Sequence, residues 1–167
     1  MKNLQQIGTG IHEYLQIHRD TFFVACRVPW EEMKRPVEDQ TPPLPLVLKN
    51  ELAGTDAFEC PADHLIDDQI TDTVGNPLPY DRYYDFEGYA YKGQDGKKGK
   101  TSYEWEAQLN GLRLDFKGVR YTWPDGTVTV LNTRTMWMVQ DLEAFHGGPK
   151  RIGSSNALHM DLHVQSN

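Results

Sequence analysis

Near the end of the chain, His159, Asp161 and His163 alternate with Met160 and Leu162. On a β-strand, residues two apart share a face, so two imidazoles and a carboxylate would project together. That donor set suits zinc or another first-row ion, and His146 could swing in as a fourth ligand. The alternation has a plainer reading as well. Ala157, Leu158, Met160, Leu162 and Val164 would form the core side of a strand, and the polar residues would face solvent or a loop. Spacing alone leaves both open. Calcium needs a denser run of Asp and Asn than Asp95-Gly96 or Asp125-Gly126 provides. Hydrolytic machinery does not assemble either. There is no G-x-S-x-G elbow, no H-E-x-x-H and no P-loop, and no motif surrounds Ser154-Ser155 to activate a hydroxyl. The chain is therefore not read as a hydrolase, and calcium and zinc are the ions worth considering.

Two other groups carry chemical interest. Residues 80–91, YDRYYDFEGYAY, are dense in aromatics, and with Trp105 and Trp123 they could form a platform for glycans. Tyrosines that pack or cover loops give the same composition. Cys26 and Cys60 lack the CxxC spacing of a zinc knuckle, and they permit at most one intramolecular disulfide. Separate thiols and a bridge both fit, depending on the redox compartment.

The elements that would position these residues begin with a helix. In KNLQQIGTGIHEYLQI, Leu4, Ile7, Ile11 and Leu15 recur at spacings of three and four, while Gln5, Gln6, Glu13 and Gln16 take the other side. Gly8 and Gly10 should each cost about 1 kcal/mol relative to Ala, so the helix needs a surface to pack on. Residues 22–28 read as an extended, core-covering segment and 31–40 as an exposed charged loop. Residues 46–52 read as a short helix that Gly54 ends. Pro61 restricts Cys60 to extended geometry, and Asp63 can close an Asx turn. Residues 92–100, KGQDGKKGK, read as a solvated loop. From residue 101 the pattern is β. It alternates over 101–109 and 112–116, forms a hairpin of 119–123 and 127–131 around Pro124-Asp125-Gly126, and continues in strands at 136–139 and 156–165.

With 167 residues the chain suits one domain with a substantial core. A formal net charge of −7 argues against nucleic acid, whose phosphates would be repelled. No run reaches the roughly 18 apolar residues of a membrane span.

Several of these segments resemble one family in the same order. NLQQIGTGIHEYLQIHRDTFF is similar to the stretch, akin to NLKQIGLALHNY, that follows the membrane anchor in type II secretion pseudopilins of the subgroup with a His-x9-Asp-Gly C-terminal motif. Phe58-Glu59-Cys60-Pro61-Ala62-Asp63 resembles that subgroup's F-x-C-P-x-D element. Thr101-Ser102-Tyr103 resembles its T-S-Y piece, without the Asn that follows there. The terminus from Asn156 to Val164 resembles N-V-L-F-A-D-G-H-V, and His146 resembles the preceding motif histidine. Asp161 and His163 match, whereas His159 stands where an apolar residue is usual. Leu162 replaces the Gly, which puts the tight turn at that place in doubt. Fourteen residues separate His146 from Asp161, so the loop is longer than the pattern.

The resemblance implies an α+β, pilin-like head: an N-terminal helix at 2–19, loops and a short helix over 20–100, and a C-terminal antiparallel sheet over 101–166. It implies a structural subunit of a type II secretion pseudopilus or type IV pilus-like filament, held in the bacterial inner membrane by an apolar helix preceding Lys2. Its partners would be other pilin-like subunits and the secretion machinery. Asp161 and His163 would tie the last strand to a neighbouring loop rather than catalyse. In that extracytoplasmic setting Cys26 and Cys60 would be joined. A secreted carbohydrate-binding module, or a small metal-binding module using His146, Asp161 and His163, are the alternatives.

Overall fold

The computed structural model describes residues 2–32, 35–62, 83–84, 99–115, 117–141 and 155–166. Helix α1 spans Lys2–Ile17 and buries Leu4, Ile7, Ile11 and Leu15. Each such aliphatic side chain contributes about 1.5–3 kcal/mol by leaving water. The two glycines of this face are what lets the helix come close. A Cβ on Gly8 would stand 3.2 Å from both terminal methyls of Leu158, and one on Gly10 would stand 2.8 Å from Leu52. The helical cost expected of them is thus exchanged for tight packing. The helix ends at Ile17, two residues earlier than expected. Arg19 and Asp20 take φ of 56° and 62°, and the Asp20 N–H donates to the Leu15 carbonyl at 2.8 Å, in the manner of a Schellman cap.

Residues 22–28 run extended beneath the helix, with Phe22, Phe23, Ala25, Cys26 and Val28 buried. Asn110 holds this segment as a strand partner would. Its Oδ1 accepts from the Ala25 N–H at 3.1 Å and its Nδ2 donates to the Ala25 carbonyl at 2.8 Å. Short helices follow at Pro29–Glu32 (α2) and Leu44–Val47 (α3). The latter starts two residues before the expected 46, because Pro43 and Pro45 preset its first turn. It is also shorter, and the chain leaves through Ala53 and Gly54, both at positive φ.

Strands β1 (Tyr83–Tyr84) and β2 (Gly99–Lys100) pair antiparallel. A four-stranded antiparallel sheet follows the order β3 (Tyr103–Trp105), β7 (Trp137–Asp141), β8 (Asn156–His159), β9 (Val164–Ser166). A three-stranded sheet is made of β4 (Leu114–Asp115), β5 (Gly118–Thr122) and β6 (Val128–Leu131). The alternation expected over 101–109 is not formed. All three residues of β3 are buried, and the chain then turns into a 3-10 helix at Ala107–Leu109. The β5–β6 hairpin is as expected. The final strand is not: it breaks at His159, turns, and returns as β9. The fold is α+β, with an N-terminal helix set against antiparallel sheet.

Candidate functional site

Helix α1 gathers the segments that the sequence marks out. At its start, the Asn3 amide donates to the Glu59 carbonyl at 2.9 Å. There the Phe58–Pro61 turn meets Thr101-Ser102-Tyr103. The Ser102 N–H donates to the Phe58 carbonyl at 2.8 Å, and the Cys60 N–H donates to Ser102 Oγ at 2.9 Å. Ser102 therefore closes the turn from both sides. Thr101 reinforces β3 by accepting the Tyr103 N–H at 3.1 Å. Burial, then the Cys60 thiol and the Asp141 carboxylate, push the Tyr103 phenol far above its ordinary range, so it stays protonated. Pro61 lies exposed in the turn. Asp63 lies outside the described residues.

One strand over, Asn156 and Asp141 form a buried polar pair. Asp141 Oδ2 accepts the Asn156 backbone N–H at 2.6 Å and its side-chain amide at 3.1 Å. Asn156 Oδ1 in turn accepts from Ser166 Oγ at 2.6 Å. Asn156 therefore fastens β7, β8 and β9 together, a role a buried amide fills only when its polar atoms are matched.

The middle of α1 meets the C-terminal hairpin, where Leu158 and Leu162 lie against Gly8. His159, Asp161 and His163 do come together, but around a turn and not along a strand face. The His159 and His163 rings stack with centroids 4.2 Å apart and planes 9° apart. His163 Nδ1 pairs with Asp161 Oδ1. Stacked rings present their nitrogens side by side, and one of them is already engaged, so the donors do not converge on an ion as zinc requires. Among the described residues no group of three or more His, Cys, Asp or Glu could hold a metal. His146 and Asp95 lie outside the described residues. The Asp125 carboxylate accepts the Thr127 N–H at 2.8 Å within its own turn.

His159 is buried, contrary to a solvent-facing strand residue, and its Nδ1 has no hydrogen-bond partner among the described residues. Burial, and then the neighbouring His163, depress its pKa. Burial acts to raise the pKa of Asp161, but bonds from the His163 ring and N–H outweigh it and hold the carboxyl below its usual range. The doubt over Leu162 is resolved locally: the tight turn persists, with Leu162 itself at φ 67°.

Two further expectations are corrected. Trp105 cannot belong to a glycan platform, because it is fully buried and its indole N–H donates to Asn110 Oδ1 at 2.8 Å. Most of residues 80–91 lie outside the described residues, while Trp123 is exposed. Cys26 and Cys60 are buried thiols with no disulfide between them. Each is seated against different backbone: Cys26 bridges to Pro43, and Cys60 lies under Ser102 and Tyr103.

Scans against family models, curated proteins and solved structures return no match. The functional reading therefore rests on the residues and their arrangement.

Sequence reasoning missed Asn110, Asp141 and the Arg27–Glu104 ion pair, which closes at 2.8 Å over β3. Asn110-Gly111 carries a turn signal that points to the first. Nothing local marks the other two, since their partners lie far along the chain.

Proposed function

We propose that this chain is the globular head of a pilin-like subunit of a type II secretion pseudopilus or related type IV filament, working by assembly and not by catalysis. One observation carries the reading. The four segments that resemble the pseudopilin subgroup, scattered from residue 3 to residue 164, lie against one another around α1. Asn3 reaches the Phe58–Pro61 turn, Ser102 closes that turn, and Leu158 and Leu162 rest on Gly8. In this reading Cys60, Pro61, Asn156, Asp161 and His163 are structural fasteners. They fix the sheet, its last hairpin and the Phe58–Pro61 turn beside a helix that would continue into a membrane anchor.

The reading supplies an extracytoplasmic place in a bacterium, other pilin-like subunits as partners, and no resident cofactor. Among the described residues no helix is long and apolar enough to cross a membrane; in this reading the anchor would be an apolar helix ahead of Lys2. The test is the N-terminal sequence and intact mass of the protein isolated from its own cells. The expected result is a methylated residue opening an apolar segment of about 20 residues, the length a span requires. A native chain that starts at Met1 would overturn the proposal.

A further inference from the structure

The β5–β6 hairpin is rooted in the core and bare beyond it. At its base Leu114, Val119 and Leu131 lie opposite one another across three strands, and Val119 is fully buried. Because side chains alternate, Arg120 and Thr122 on β5, with Val130 and Val128 opposite them on β6, share the other face. Val128 and Val130 are 52% and 47% exposed. Arg120 is exposed and forms no ion pair among the described residues. This face carries an apolar pair beside Arg120, with the exposed Asp115 at its root opposite Gly118.

Elsewhere on the molecule is its complement. A groove of about 250 Å³ runs between α1 and the C-terminal turn, floored by Ile11, Leu15, Leu114, Met138 and Met160. Leu162, 42% exposed, and the exposed residues His12 and Asp161 form its rim. The Asp161 carboxylate, held below the usual range by His163, is ionised at neutral pH. The groove is smaller than the roughly 300–1,000 Å³ typical of small-molecule sites, and its size suits a pair of aliphatic side chains. Its methionines are adaptable wall material.

The geometry points to a heterologous contact between copies of this chain. Val128 and Val130 of one subunit enter the groove of the next, and Arg120 meets Asp161. The inference rests on the filament-subunit reading and names the surfaces through which heads would touch. Three facts commit it to a second copy. The charges are complementary. Leu114, a wall of the groove, shares its sheet face with Val119 and Leu131, so the valine face of the same molecule points away from its own groove. Three of the six large hydrophobic side chains exposed among the described residues (Val128, Val130 and Leu162) lie on the two surfaces. A contact between unlike surfaces of identical subunits does not close on itself in pairs, and when its rotation does not close a ring it propagates a helical filament.

The test is disulfide trapping with full-length single-site variants, Val130→Cys and Leu162→Cys, mixed at high concentration under a mild oxidant. Cys26 and Cys60 are buried and stay in place. The mixture should yield a mixed dimer well in excess of either homodimer. Arg120→Glu in the Val130→Cys chain should lower that yield by roughly tenfold, since like charges then meet. Asp161→Arg in the other chain should restore it. Absence of the mixed dimer, or homodimers as abundant as it, would overturn the contact. Should the native chain nonetheless carry a methylated anchor, only the contact is lost and the filament reading stands. A mixed dimer from a chain that starts at Met1 would keep the contact and remove the pilin-like assignment.

Discussion

Two hairpins of this molecule close with the same five-residue turn. In one, the Trp123 N–H donates to the Thr127 carbonyl at 2.8 Å and the Gly126 N–H donates to the Trp123 carbonyl at 2.9 Å. In the other, His159 and His163 exchange the first bond at 2.9 Å, and Leu162 and His159 the second at 2.9 Å. Each turn has an aspartate at its third position whose Oδ1 accepts the N–H two residues on, at 2.8 Å in Asp125 and 3.3 Å in Asp161. Each also places its fourth residue in the left-handed region, Gly126 at φ 86° and Leu162 at φ 67°. Such three-residue loops normally use Gly there. The difference lies in what surrounds the fourth residue. A Cβ on Gly126 would meet nothing within 4 Å, so a side chain there gains no contact. Leu162 instead leans over Gly8, where helix and hairpin meet. Size has moved from helix to turn: glycine on α1, leucine on the hairpin. The left-handed leucine costs about 1–2 kcal/mol, which its packing offsets.

The largest separation between the two hairpins should come from truncating one apolar residue in each. Leu158→Ala, at a fully buried position beside Gly8, is expected to lose about 2–5 kcal/mol. Val130→Ala, on the bare face of the other hairpin, should stay within about 0.5 kcal/mol. Chemical denaturation of both variants checks this. Equal losses would mean that the β5–β6 hairpin does not project from the core.

An exchange at the fourth turn position should have a smaller effect. Gly126→Leu takes on the left-handed cost with nothing to pack against, and should lose about 1–2 kcal/mol. Leu162→Gly relieves the same strain while giving up a half-exposed side chain, and its net change should lie within about 1 kcal/mol of zero. A loss above about 2 kcal/mol for Leu162→Gly would show that packing on Gly8 dominates, and that the leucine is indispensable to the turn.

The same comparison explains what could be read from the sequence. Pro124-Asp125-Gly126 between alternating segments announces a hairpin, because proline presets its φ and glycine enters the left-handed region without strain. His159-Met160-Asp161-Leu162-His163 has no such residue, and its alternation imitates a straight strand. Its left-handed leucine leans over Gly8, some 150 positions away, a contact that no local pattern reveals. The α1 stripe was legible for the opposite reason: helical period alone decides which face is buried. Its end was less so, since no glycine marks the left-handed Arg19 and Asp20. In the candidate site, sequence order identified Cys60, Asn156, Asp161 and His163. Their partners Ser102, Asp141 and Ser166 depend on strand register, and so does the burial of Trp105 and His159.

The smallest expected effect is one of pH, and it should arise in only one of the two turns. Burial and the stacked His163 ring depress the folded pKa of His159 below the ordinary 6.5, with the nearby Asp161 carboxylate and the Arg134 backbone carbonyl acting the other way. Below 6.5 the unfolded chain then takes up this proton more readily than the folded one. The His159 contribution to stability is therefore present above that pH, and is lost as pH falls through the depressed value. The two aspartates do not mask it. Asp125 and Asp161 are both held below the ordinary 3.8, Asp125 by the Thr127 N–H and Asp161 by His163 after opposition from burial. Their contributions are lost only at more acid pH. Urea unfolding between pH 8 and 5 should show stability falling at the acid end for the parent protein, with a flatter profile for His159→Gln. Identical slopes in the two proteins would mean that the stacked imidazoles carry no linkage, and that both turns respond to acid through their aspartates alone.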